Sequence, residues 1–273
     1  MAASIRVAVV GAAGRMGREV LKAVAGDAGM QLVAAVDRSC VGSPVGELVP
    51  GIAAAGDQQI QPDLASALNT SPAEVLVDFS HHSAIKDNAL IALERGCSPV
   101  IGATGLGAEQ VDEIRQACER TGVPALIAPN FAVGAVLMMR FSEIAARWYG
   151  DVEIMELHHD RKEDAPSGTA LLTAQLIAEA KSMEPSTKPT PVVKAEGALG
   201  GRWHGIPVHS IRLPGLLAHQ QVMFGAPGET LTIRHDSTDR AGFMHGVRLA
   251  IREVRGLNGL VIGLDKLLFR NAG

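Results

Sequence analysis

Ile5-Arg6-Val7-Ala8-Val9-Val10-Gly11-Ala12-Ala13-Gly14-Arg15-Met16-Gly17 is the stretch whose reading decides the fold. Its first six residues are a β-branched run of the kind that forms a buried parallel strand. It passes straight into a glycine turn, and Arg18 to Val24 then follows with helical periodicity. Strand, turn and helix in that order give the glycines their meaning. The spacing is GxxGxxG, one step from the commoner GxGxxG. Gly11 permits the tight turn, Gly14 lets backbone approach a pyrophosphate, and Gly17 lets the helix lie close on the strand.

Outward from this turn the same logic repeats. Gln31 to Val36 is a second strand ending at Asp37, twenty positions beyond Gly17, where a dinucleotide site places the acid for the adenosine ribose hydroxyls. Arg38 follows, and an arginine there can hold the extra phosphate of NADP, so the pair suggests tolerance of both nucleotides. Glu74 to Phe79 and Pro99 to Ile101 are further strands, the second closing on Gly102-Ala103-Thr104-Gly105. Val123 to Ala128 is another, closing on Pro129-Asn130-Phe131. Helices are expected over Ala84 to Arg95 and 108–121, whereas Gly42 to Pro62 reads as a connection with weak secondary structure. Strands alternating with helices imply an α/β fold with a Rossmann-type, doubly wound parallel sheet.

After Asn130 the pattern changes. A helix is expected over Val133 to Tyr149 and a strand over Asp151 to Glu156. Residues 182–205 are loop-like and able to move over a site. Three closely spaced strands follow, Pro207 to Arg212, Leu217 to Phe224 and Thr230 to His235, which read as an antiparallel or mixed sheet of a second α+β domain. Helices over Arg240 to Val254 and Leu260 to Leu268 finish the chain. The expected division is residues 1–130 plus 240–273 for dinucleotide binding, and 131–239 for substrate binding and oligomerisation.

Composition bounds the function. The 273 residues are 47% hydrophobic and 20% charged, as in an ordinary globular protein, and the net charge of −4 gives a nucleic-acid partner no overall electrostatic support. Aromatics at 3% argue against base-stacking platforms. Cys40, Cys97 and Cys118 form no CxxC pair or disulfide-like framework, so a reducing compartment is expected. With a strand beginning at Ile5, no space for a signal peptide precedes it. The uncharged run from Phe131 to Met139 is too short to span a bilayer. These readings predict a cytoplasmic protein without a membrane partner.

Chemistry is concentrated in Glu156-Leu157-His158-His159-Asp160-Arg161-Lys162-Glu163-Asp164-Ala165-Pro166-Ser167-Gly168-Thr169-Ala170. Two histidines, an arginine and a lysine run directly into a helix start. Asp164 or Ser167 can cap that helix, and Pro166 suits its entry. The first N–H groups of a helix lack internal partners and its dipole makes that end positive, so a carboxylate or phosphate fits there. The dipole contributes only about 0.3–1 kcal/mol to a nearby anion, so Lys162 and the histidines must contribute charge-assisted bonds as well. The His81-His82 pair lacks the neighbours that would complete a metal site and reads as a loop and helix cap. No metal is expected, the nine histidines including no HExxH pair.

The glycine turn and the 156–170 stretch together resemble the 4-hydroxy-tetrahydrodipicolinate reductase (dihydrodipicolinate reductase) family, and the likeness runs through Asp78-Phe79-Ser80, Gly102 to Gly105 and Asn130-Phe131 to His235 and Arg240. The resemblance implies hydride transfer from NADH or NADPH to a cyclic imine dicarboxylate, giving tetrahydrodipicolinate, in lysine and diaminopimelate biosynthesis. It implies Lys162 as proton donor, His158 as an acid/base partner, and His159, Gly168 and Thr169 as substrate ligands. For the nucleotide it points to Gly11, Ala12, Ala13, Gly14, Arg15 and Met16, to Asp37 and Arg38, to Gly102, Ala103 and Thr104, and to Ala128, Pro129, Asn130 and Phe131. A homotetramer built on the second sheet is implied too. Two positions depart from the family pattern: Ala103 replaces a common threonine, and Leu213 to Gln220 replaces a Gly-Glu-His pattern in a hairpin, so the resemblance does not fix the oligomer contacts built there. Because Rossmann halves do not select substrates, another NAD(P)-dependent two-domain dehydrogenase acting on an amino-acid-derived substrate is the alternative.

Overall fold

In the computed structural model, residues 3–50, 58–102, 105–186 and 192–270 are described. β1 (Ile5–Val10) is followed by α1 (Arg15–Ala25), β2 (Met30–Val36), α2 (Val45–Leu48), β3 (Ile60–Gln61) and α3 (Leu64–Thr70). β4 (Val75–Asp78), α4 (His82–Glu94), β5 (Ser98–Ile101), α5 (Ala108–Thr121) and β6 (Ala125–Ile127) continue the alternation. Next come α6 (Val133–Ala145), β7 (Asp151–His158), α7 (Gly168–Ala180), β8 (Gly201–Trp203), β9 (Ile206–Arg212), β10 (Ala218–Ala226) and β11 (Glu229–Ser237). α8 (Met244–Glu253), β12 (Leu260–Ile262) and α9 (Asp265–Leu268) end the chain.

The chain divides into two units, one of residues up to Phe131 with those from Phe243 onward, the other Ala132–Gly242. The first is built on a seven-stranded sheet of order β12-β6-β5-β4-β1-β2-β3, parallel at every pairing. Its central strands are buried on both sides, β4 and β5 along their whole length, which is why they read as continuous apolar runs rather than alternating ones. α1 turns Gly17, Val20, Leu21, Ala23 and Val24 inward.

Two strands of this sheet lie where other structure was expected. Leu260–Ile262, read as the start of a helix, is instead β12 and pairs with β6; Gly259 (φ 62°) and Gly263 (φ 101°) bracket it. Three apolar residues carry no usable period, and only an open sheet edge selects the extended form. The connection from Gly42 to Pro62 likewise supplies β3, which extends the sheet beside Ala35 and Val36, and the short α2. The helix expected over Val133 to Tyr149 ends at Ala145, and the one expected from Arg240 opens as a 3₁₀ turn over Arg240–Phe243 before α8.

The second unit carries a mixed five-stranded sheet, β11-β10-β7-β9-β8. β7 pairs parallel with β9 and antiparallel with β10. Its residues alternate, with Val152, Ile154 and Glu156 buried. That inner face and α6 and α7 enclose a core of Ala146, Ile154, Ala174, Ile177, Val222 and Phe224. Leu213–Leu217 is not a hairpin: β9 and β10 flank β7, and the link crosses its carboxyl end, where Leu213 N–H donates to His158 O at 3.0 Å. The true hairpin joins β10 and β11 through Gly228 (φ 86°). The expected loop 182–205 contains β8 in its described part, and residues 187–191 lie outside the described residues.

Candidate functional site

In the first unit the glycine turn sits at the carboxyl end of β1. Gly11 has φ 75°, and a Cβ there would lie 2.8 Å from the carbonyl carbon of Phe79, so both conformation and space demand glycine. A Cβ on Gly17 would lie 2.0 Å from Gly11 O, which gives the close helix approach its measure. Gly14 stands at the N-cap of α1 and offers no side chain, leaving the first-turn N–H groups of Arg15, Met16 and Gly17 for a ligand oxygen.

Asp37 closes the turn from β2. Its Oδ2 accepts from Ala13 N at 2.9 Å and its Oδ1 from Ser39 N at 2.8 Å. A carboxylate has about four acceptor sites, so Asp37 retains capacity for two ribose hydroxyls while shaping the turn. Arg38 beside it is exposed.

Phe79, named in the resemblance but given no site role there, gathers the other strand ends. A Cβ on Gly102 would lie 2.2 Å from its ring, and the ring of Phe131 is 5.7 Å away, centroid to centroid. Asp78 is buried and fixes the adjoining turn, accepting from Ser80 N at 2.7 Å and from Asn88 Nδ2 at 2.9 Å. Burial pushes its carboxyl up while these bonds pull it down, and the net is upward. Ala128 is buried, Pro129 exposed and Asn130 between. Thus Gly11, Gly102 and Phe131 come together around Phe79. Ala103 and Thr104 lie outside the described residues. His81 caps α4, its Nδ1 lying 3.4 Å from Ser83 N and 3.0 Å from Ser83 Oγ.

The second unit gathers the 156–170 stretch around α7. Ser167, not Asp164, is the cap: its Oγ accepts from Ala170 N at 3.2 Å. A Cβ on Gly168 would meet nothing within 4 Å, so space opens at the helix start. Thr169 O accepts from Thr173 Oγ1 at 2.7 Å, which in turn accepts from Gln220 Nε2 at 2.7 Å. His159 Nδ1 is buried with no hydrogen-bond partner among the described residues, an atom that asks for a ligand. Lys162 Nζ is 2.6 Å from Asp164 Oδ1, and that bond draws the Asp164 carboxyl below its ordinary value. An ammonium has three donors, so this contact occupies one.

His158 is held from behind. Its Nδ1 is 2.5 Å from Glu156 Oε2. Glu156 is fully buried and also receives a two-pronged contact from Arg212, Nη1 to Oε2 at 3.0 Å and Nη2 to Oε1 at 2.8 Å. Neither residue was among the expected site residues. A carboxylate on the apolar parity of β7 was the visible signal for Glu156; nothing in the spacing pointed to Arg212. Burial pushes the Glu156 carboxyl up, but hydrogen bonds from His158, Arg212 and Ser210 outweigh it and hold it at about 2.

That shift has a pH consequence. As pH falls the unfolded chain protonates Glu156 near 4.5, whereas the folded chain does so only near 2. Its stabilisation is complete above the unfolded value and is lost as pH falls through that window, by roughly 3 kcal/mol at most. Urea melts at pH 5 and pH 3 should differ in this direction, and Glu156→Gln should flatten the difference. Equal slopes in the two proteins would remove the assignment.

Among the described residues no cluster of three or more metal-ligating side chains occurs, and no helix is long and apolar enough to cross a membrane. The pattern described as Dihydrodipicolinate reductase, N-terminus, matches residues 5–131, and that described as Dihydrodipicolinate reductase, C-terminus, matches residues 134–268. The chain is 50% identical over 268 residues to the 4-hydroxy-tetrahydrodipicolinate reductase of Moorella thermoacetica, covering 98% of this chain and 99% of that protein. It is 50% identical to the enzyme of the same name from Synechocystis sp., covering 97% and 98%. A dipicolinate-bound dihydrodipicolinate reductase from Paenisporosarcina sp. TG-14 superposes with a TM-score of 0.85 at 41% identity, covering 96% and 99%.

Proposed function

The chain belongs to the dihydrodipicolinate reductase family, and from that premise we propose that it reduces 4-hydroxy-tetrahydrodipicolinate to tetrahydrodipicolinate with NADH or NADPH, in the lysine and diaminopimelate pathway of the cytoplasm. The observation that carries the substrate half is the buried Nδ1 of His159, without a hydrogen-bond partner among the described residues, in a turn where Lys162 N–H donates to His159 O at 3.2 Å and in the same unit as the unfilled space at Gly168. Such a site suits a small dicarboxylate, as the dipicolinate in the Paenisporosarcina structure is.

The residues of the first unit fit a pyridine nucleotide, because the turn at Gly11 leaves no room for a side chain and α1 is uncapped. Gly11 to Met16 would hold the pyrophosphate, Asp37 and Arg38 the adenosine ribose, and Gly102 with Ala103, Thr104 and Ala128 to Phe131 the nicotinamide end. When bound, the nucleotide supplies hydride. His159, Gly168 and Thr169 grip the substrate carboxylates and orient the ring. Loss of the 4-hydroxyl as water leaves the conjugated cyclic imine that is reduced. Lys162 then donates a proton to the ring position that gains electron density, a step typically worth about 10²–10⁴-fold, and His158 exchanges protons beside it. Asp164, in contact with Lys162 Nζ, steadies the ammonium between turnovers. The mixed sheet, with much of β11 exposed, is the surface on which a homotetramer assembles.

The decisive assay supplies the product of dihydrodipicolinate synthase, made in place, and follows oxidation of NADH and NADPH in parallel. Prompt oxidation of both is expected, since Asp37 favours NADH and Arg38 can receive the extra phosphate of NADPH. Silence with this substrate, accompanied by activity on a simple keto or amino acid, would overturn the reading.

A further inference from the structure

One buried carboxylate ties together three parts of the second unit. Glu156 Oε2 meets His158 Nδ1, and Oε1 accepts from Ser167 N at 3.3 Å, where α7 begins. Arg212 forks onto both oxygens, and its Nη2 also donates to Asp164 O at 2.7 Å, beside the Lys162–Asp164 contact. The parallel register of β7 and β9 sets Arg212 opposite His158 and Ser210 opposite Glu156, so the alignment is built into the sheet.

Stability alone does not account for this pair. Val152 and Ile154 occupy the same inner face, and replacing buried ion pairs by well-packed apolar residues is often neutral or stabilising. What a fork-held anion provides, and an apolar pair does not, is a fixed acceptor aimed at one ring nitrogen. An ionised carboxylate accepts only, so the facing imidazole nitrogen must carry the proton. Glu156 stays ionised down to about pH 2, which spans every working condition.

We propose that Glu156, held by Arg212, is a positioning residue that keeps a proton on Nδ1 of His158 in both charge states of the ring, so that all proton exchange by His158 takes place at Nε2. The inference rests on the acid/base role given to His158 above. Without this acceptor the neutral ring can place its proton on Nε2, and the nitrogen needed as acceptor is then blocked. In hydrolytic triads, losing the carboxylate that fixes a histidine tautomer lowers turnover about 10⁴-fold with geometry otherwise intact.

Ring ¹⁵N shifts of the full-length wild-type protein test this directly, the His158 signals being identified by their loss in His158→Asn. Nδ1 protonated with Nε2 bare in the neutral ring is expected; a proton on Nε2 would overturn the proposal. In Glu156→Gln the Nδ1–H signature should be lost or mixed. The kcat should fall about 10²-fold or more, with the dissociation constant for NADH unchanged and an altered pH profile. A folded Glu156→Gln protein with wild-type kcat and pH profile would overturn the proposal, and if that variant does not fold, the wild-type tautomer decides. An Nδ1–H tautomer in a protein that fails to reduce the dicarboxylate would sink the reductase reading and leave this assignment standing.

Discussion

Lys162→Ala should lower kcat about 10²–10⁴-fold, the range for loss of one general acid, while the dissociation constant for NADH stays at the wild-type value. The two effects separate because the nucleotide residues and Lys162 belong to different units of the chain. Lys162 is partly exposed and contacts Asp164, itself largely exposed, so truncation leaves no buried charge and folding should be unaffected. Lys162→Arg should not restore turnover: a guanidinium keeps the charge, and with it much of the anion binding, but does not release its proton in proteins. The expected pattern is therefore a near-normal KM with kcat still low. Turnover within a few-fold of wild type in either variant would strip Lys162 of its role.

Gly17→Ala should unmake the nucleotide site. Alanine in a helix is normally favoured over glycine by about 0.8–1.0 kcal/mol, so propensity alone predicts a gain. Space decides otherwise. The added Cβ would lie 2.0 Å from Gly11 O and 2.8 Å from the Cα of Ala12, both backbone atoms of the turn itself. α1 must shift away from β1, and overpacking of this kind costs about 1–3 kcal/mol, with backbone contacts at the upper end. The melting temperature should fall by several degrees, and NADH affinity by tenfold or more, since the uncapped amides of Arg15 and Met16 move with the helix. Gly14→Ala is the control: its Cβ would meet only Gly11 O, at 3.1 Å, and a smaller loss is expected. If Gly17→Ala melts and binds like wild type, the close approach of α1 to the turn is not what shapes the site.

The features legible in the chain are those whose causes are local. A positive φ at Gly11, a helix beginning one residue after Ser167, and an acid at the end of a strand each depend on residues within a turn of one another, so spacing alone reveals them. Helix starts survive tertiary context because an unpaired N–H must be satisfied wherever the helix lies. Short segments behaved differently. Leu260–Ile262 and Ile60–Gln61 became strands because β6 and β2 presented unpaired edges to them, a circumstance absent from their own residues.

The sequence by itself determined the glycine turn from Gly11 to Gly17, the acid at Asp37 and the start of α7 at Gly168, because each is decided by backbone geometry over a few bonds, whereas the choice of Ser167 over Asp164 as its cap came from the structure. Only the tertiary structure decided that Arg212, 56 positions along the chain, closes on Glu156 and that His158 meets that carboxylate through Nδ1. The pairing follows from the parallel register of β7 and β9 across β8 and the preceding helix. Register between distant strands is set by which faces bury together, and no local spacing encodes it.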